Sequence, residues 1–164
     1  MKKFFYLCMI ALGCMVGFTA CGDDDDDEPK VENGEAQIAS VIIKDNGTTM
    51  TLTVTATQNG QVATAVTTCT FDGSSNDALC IKAEQVATFP SEAWAKQSWE
   101  EDYDAEEKAS GKLKLSGRTI IQDLTEDFEG LTKLETKLAL EYIKALVESE
   151  LGNDENGARV IPRL

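Results

Sequence analysis

Two Asn-Gly pairs, Asn46-Gly47 and Asn59-Gly60, each sit between runs rich in Thr, Val and Ile, and they constrain this chain more than any other feature. Asn-Gly is the strongest short-range hairpin signal, because a type I′ turn needs positive φ at both central residues. Two such turns predict a meander of three antiparallel strands over about 37–45, 48–58 and 61–71. With the two-residue turns at 46–47 and 59–60, Ile43 faces Met50, Val41 faces Leu52 and Ala39 faces Val54. In the second hairpin Ala56 faces Ala63, Val54 faces Ala65 and Met50 faces Cys69. All of these fall on one apolar face. The other face carries Thr49, Thr51, Thr53, Thr55 and Thr57, with Thr64 and Thr68 beside them. A one-residue slip would invert every side chain, so agreement of both turns on one apolar face is strong evidence for the arrangement. Ile42, Val62 and Val66 also point to the threonine side, which predicts partial cover there.

Beyond the meander, "FDGSSND" at 71–77 reads as a polar turn. Asp72, Ser74, Asn76 and Asp77 resemble half of a calcium loop, but the loop glycine and a closing bidentate Glu are missing, so a plain turn is the reading and no metal is expected. The segment 78–89 fits a strand through Leu79, Ile81 and Ala83, and a helix through Leu79, Ala83, Val86 and Ala87; the strand is preferred. Pairing Cys69 with Cys80 in simple register would turn Lys82 and Glu84 toward the core, so a bulge or offset must intervene. Ser91 then caps a helix running to about Ser110, with Gly111 placed to end it. On it Ala95, Trp99 and Tyr103 make an i, i+4 stripe, and Trp94 lies to another side. These three aromatic residues are either packed on the sheet or a stacking platform for a sugar or peptide, and packing is the preferred reading.

A third hairpin is centred on Ser116-Gly117 within 112–124. Thr132 and Glu135 form a capping box that opens the last helix, which ends before Gly152. On that helix Lys133, Lys137, Glu141, Lys144 and Glu148 take under a third of the circumference, which predicts burial on more than one side. The order meander, strand, helix, hairpin, helix gives an α+β fold: a mostly antiparallel sheet, meander plus hairpin, covered on one face by two α-helices. The boundaries read 1–20 leader, 21–36 tether, 37–152 single domain and 153–164 tail, with Val160 and Ile161 as candidates for docking onto the domain.

Composition removes whole classes of function. There is no histidine among the 164 residues, and the formal charge is −14. Ser/His/Asp and Cys/His nucleophiles and histidine-bearing zinc sites are therefore absent, while carboxylate-only chemistry survives. The acidic balance repels phosphate, so no nucleic-acid partner is expected. The chain is read as no enzyme, and without a cofactor.

Met1, Lys2 and Lys3 precede an apolar run of 15 residues, Phe4 to Phe18, then Thr19, Ala20 and Cys21. A basic start, a short apolar stretch and small residues before a break are the parts of a secretory signal peptide, and the run is too short for a comfortable membrane span. Removing Lys2 and Lys3 with this leader leaves 13 cationic against 29 acidic side chains, a formal −16. After Cys21 and Gly22 come five aspartates, Asp23 to Asp27, and Glu28, a self-repelling stretch suited to an extended solvated tether.

Phe18-Thr19-Ala20-Cys21 resembles the lipobox of bacterial lipoproteins, with Phe18 where that family commonly has Leu. The acidic run after the cysteine is similar to the surface-export signal of Bacteroidota outer-membrane lipoproteins. The resemblance covers only residues 1 to about 30. It implies cleavage before Cys21, diacylation of that cysteine, and an outer-membrane anchor facing the cell exterior. Two or three acyl chains together hold a protein firmly where one alone does not.

With Cys8 and Cys14 in the leader and Cys21 lipidated, Cys69 and Cys80 are left in an oxidising compartment and are expected as a disulfide, the other reading being two buried thiols. The expected function is a lipid-anchored, surface-exposed, non-catalytic binding or accessory module for an unknown protein or glycan ligand. The alternatives are an inhibitor of a secreted hydrolase, with 72–77 as its wedge, and a carboxylate-dependent glycan hydrolase.

Overall fold

The computed structural model describes residues 37–151, so the expected leader, the lipidation site Cys21, the acidic tether and the C-terminal tail lie outside the described residues. Six strands form one antiparallel sheet in the order β1-β2-β3-β4-β6-β5. The strands are β1 Gln37–Asp45, β2 Thr49–Gln58, β3 Gln61–Phe71, β4 Cys80–Thr88, β5 Leu113–Ser116 and β6 Thr119–Asp123. The helices are α1 Glu92–Asp102, α2 Ala105–Ala109, α3 Thr125–Phe128 and α4 Lys133–Leu151. The fold is α+β, as the sequence predicts.

The β2–β3 register matches the expectation pair for pair, with Ala56 opposite Ala63 and Met50 opposite Cys69. Its turn residues Asn59 and Gly60 have φ of 51° and 75°, the type I′ requirement. The β1–β2 register differs by two residues: Ile43 faces Leu52 and Val41 faces Val54. Here Asn46 N donates to Thr49 O (2.8 Å), so the loop is Gly47-Thr48. Only Gly47 in this loop has positive φ, 85°, as a type II′ turn requires at its first central position. The Asp45 carboxylate accepts from Gly47 N (2.9 Å) and favours this placement. A two-residue slip keeps side chains on their expected face from Ser40 onward, but a bulge between Ile38 and Ser40 leaves Ala39, expected on the apolar face, exposed and packs Ile38 on the core in its place. The third hairpin shifts in the same way, with Gly117 (φ 56°) opening the loop between Ser116 and Thr119.

The expected fourth strand is present, and so is the irregularity that its chemistry demands. Phe71 faces Cys80, but Thr70 faces Lys82 and Cys69 faces Ala83. The register shift lets Cys80 and Ala83 both enter the core, while Ile81 and Lys82 are exposed.

Three expectations for the helices need correction. The first helix is broken at Tyr103, because Asp104 starts a second helix with a full capping box to Glu107. A cap satisfying two backbone donors competes with continuation through Tyr103, whose extended backbone sends its ring into the core. "TEDFEG" adds the short helix α3, so among the described residues four helices rather than two lie on the sheet, all on one face. The last helix is buried on one side only. Thr136, Leu140, Ile143 and Val147 are buried, whereas Leu134, Leu138 and Tyr142 are about half exposed or more, at 49%, 62% and 58%. The expected solvated strip also fails at Lys133, which is buried.

The helix-covered face holds two apolar clusters. One contains Met50, Leu52, Cys69, Cys80, Phe128 and Leu140, and the other Ala87, Phe89, Ala95, Tyr103 and Ile120. Between them runs a cross-strand polar row, Thr67, Gln85 and Gln122, in which Gln85 Nε2 donates to Thr67 Oγ1 at 3.1 Å. That bond satisfies Thr67 and Gln85, whereas the buried Gln122 Oε1 has no hydrogen-bond partner among the described residues.

Candidate functional site

No described helix covers the opposite face of the sheet, and register places its side chains in rows that cross the strands. One row runs Ile42, Thr53, Val66, Val86 and Ile121, with Lys114 at its end. The neighbouring row has one hydroxyl residue on every strand: Ser40, Thr55, Thr64, Thr88, Thr119 and Ser116. On the other side lie Lys44, Thr51, Thr68, Glu84 and Asp123. The threonines follow from β propensity, since a branched side chain suits a pleated surface and the hydroxyl tolerates water. The partial cover expected for this face is not seen: Ile42 and Val62 remain 45% and 52% exposed.

The charge distribution sets this face apart. On a chain of formal charge −14, these three rows hold Lys44 and Lys114 against Glu84 and Asp123, and Lys82 lies one row beyond, beside Thr70, so the face as a whole has an excess of one positive charge. Lys82 and Glu84 pair with each other at 3.3 Å. Both acids sit toward one end, which leaves the apolar and hydroxyl rows almost uncharged. Such a surface resembles the interior of an interface, where charge is depleted, ringed by a polar rim.

The aromatic residues singled out by sequence are part of the second core. Tyr103 is buried at 5% exposure, and Trp94 and Trp99 are half-buried against the cluster of Phe89 and Ile120. Trp99 and Tyr103 pack with ring centroids 5.9 Å apart, and Lys108 Nζ lies 5.9 Å from the Trp99 ring. Packing, rather than an open platform, is their role here.

Cys69 and Cys80 are two free, buried thiols in this structure, not the expected disulfide. They lie on adjacent strands, on the same inner face and in the same cluster. Cys80 Sγ contacts Lys82 O at 3.5 Å. Burial pushes the Cys69 thiol far above its ordinary range, and the neighbouring Cys80 adds to the shift. Burial also raises Cys80. Both thiols are held in the unreactive protonated form.

The 72–77 turn is exposed but firmly tied. Asp72 Oδ1 accepts from Leu79 N (2.8 Å), and Asn76 O accepts from Leu134 N at the start of α4 (3.1 Å). Lys133 joins this turn to the first hairpin: its Nζ donates to Gly47 O (2.7 Å) and Ser74 O (3.3 Å) and pairs with Asp45 (2.8 Å). The Lys133 hydrogen bond, then that of Gly47 N, holds the Asp45 carboxyl below its usual range. Among the described residues no three His, Cys, Asp or Glu side chains gather into a metal-holding group. No helix among them is long and apolar enough to cross a membrane.

No protein-family profile matches the chain, and no curated protein or solved structure matches it significantly.

Proposed function

We propose that the chain is an exported, lipid-anchored, non-catalytic binding or accessory module of a bacterial outer membrane, and that the open sheet face is its working surface. The observation carrying this reading is the near-neutral face of Ile, Val and Thr on an otherwise strongly acidic chain. The lipobox-like Phe18 to Cys21 and the acids after it supply the address, and a self-repelling acidic composition suits a tether between anchor and domain. Metabolic labelling with a palmitate analogue tests the anchor. Wild-type chain takes up label and fractionates with the outer membrane, and Cys21→Ala takes up none; equal labelling of the two chains refutes it.

One observation favours a second reading, inhibition of a secreted hydrolase. The 72–77 turn is exposed yet fixed by hydrogen bonds from Leu79, Lys133 and Leu134, the combination a rigid wedge needs. Capture of a hydrolase by wild-type chain, lost when residues 74–76 are replaced by glycines, supports this reading; capture of none removes it.

A further inference from the structure

We propose that the occupant of the open sheet face is a second copy of this chain, packed sheet on sheet with a two-fold axis lying along the row from Ile42 to Ile121. The inference rests on the reading of this face as the working surface. Three observations carry it.

The first is area. Five strands about 4.8 Å apart each present three outward residues about 6.8 Å apart in these rows, and β5 presents two, which makes a face of about 550 Å² per copy. The total of about 1,100 Å² clears the roughly 1,000 Å² expected of a biological interface. Two sheets of like twist pack aligned, at about 30° to each other.

The second is charge. Copies that each carry a formal −16 once the leader is removed repel one another over most of their surfaces. They can approach only where acids are scarce, and this face carries three lysines against two acids. A strongly cationic partner finds its complement elsewhere on the molecule, whereas an uncharged apolar and hydroxyl face matches another of its kind.

The third is the order of the rows. Rotation about an axis along the apolar row lays that row on itself, Val66 against Val66 and Val86 against Val86. It also sets the row of Glu84 and Asp123 against the hydroxyl row of Thr88 and Thr119. Carboxylates then meet hydroxyl donors rather than carboxylates, and the like charges opposed are Lys114 and its own copy, exposed on the edge strand at the end of the row, where water screens them.

Disulfide trapping tests this in membranes from cells expressing the full-length chain, with copper-phenanthroline as oxidant. Val66→Cys and, as a second variant, Val86→Cys are expected to give a reducible band at twice the monomer mass containing peptides of this chain only. Wild type, whose Cys69 and Cys80 are buried, and Ala145→Cys on the exposed side of α4 are expected to stay monomeric. The band from Val86→Cys is expected to disappear when Val66→Lys is added, and to strengthen between 10 and 150 mM salt as repulsion is screened. Monomer from both Val66→Cys and Val86→Cys, equal trapping of Ala145→Cys, a second polypeptide in the band, or a yield that falls with salt each overturns the proposal. Surface proteolysis of intact cells reads the display of the module separately, so a displayed but monomeric chain overturns only the second copy.

Discussion

Replacing Lys133 by Met removes the one side chain that ties the first hairpin, the 72–77 turn and the start of α4 together. Lys133 is 6% exposed at its side chain, and its Nζ has three oxygen partners. A hydrogen bond to a charged group contributes about 1.5–3 kcal/mol. Gly47 O at 2.7 Å merits the middle of that range, while Ser74 O at 3.3 Å adds little. The Asp45 partner is 45% exposed, so water screens the ion pair to about 0.5 kcal/mol. Against these stands the cost of burying the ammonium, which disappears in Lys133→Met while the apolar stem is kept. The balance is a loss of about 2 kcal/mol. In urea, with a slope near 2 kcal/mol/M, the midpoint falls by about 1 M at an unchanged slope. The difference has a defined pH dependence. The folded Asp45 carboxyl is held below its unfolded value, so its contribution is present above pH ~4 and is lost as pH falls through the folded value. The gap between wild type and Lys133→Met therefore narrows in acid. A loss below about 0.5 kcal/mol, or a gain, refutes the assignment of Lys133 as a clamp.

Four further outcomes are expected. In the reduced folded chain, Cys69 and Cys80 resist alkylation at pH 7.5 and react once urea unfolds it; fast labelling of the native chain contradicts their burial. Because both folded thiols titrate above their unfolded value, their contribution to stability is whole below pH ~8.5 and is lost as pH rises beyond it. Thermal melts from pH 8 to 10.5 show this decline in wild type and a smaller one in Cys69→Ala. Asp104→Ala removes the capping box of α2 and costs about 1 kcal/mol in a denaturant titration. Thr136, fully buried with no hydrogen-bond partner for its hydroxyl among the described residues, gains about 1 kcal/mol on replacement by the isosteric Val.

Local rules read the sheet well and the helices less well. The second turn is legible because Asn59 and Gly60 both accept positive φ, which leaves one register. The first turn misplaces its loop by one residue because Asp45, an ordinary strand-end residue by pattern, uses its carboxylate to fix Gly47. The break at Tyr103 follows from Asp104 and Glu107, a capping signal present in the sequence but hidden inside a helix-compatible run of charges. The burial of Lys133 has no local signal, since its carbonyl partners lie 86 and 59 residues away. The exposed Leu134, Leu138 and Tyr142 show the same limit, because apolar content alone does not tell which side of a helix meets the sheet. The cysteine spacing brings Cys69 and Cys80 into one cluster, yet sequence cannot set their oxidation state. The open face was half legible: its threonines and valines alternate visibly along β2 and β3. The rows across all six strands exist only once β6 is inserted between β4 and β5.

Limited proteolysis of intact cells tests whether the module is displayed at the cell surface. Full-length chain is followed with an antibody to the domain, beside a periplasmic marker. If the module is displayed, added protease, cutting in the acidic tether, removes the domain from intact cells while the marker survives. A domain protected until the outer membrane is broken contradicts it.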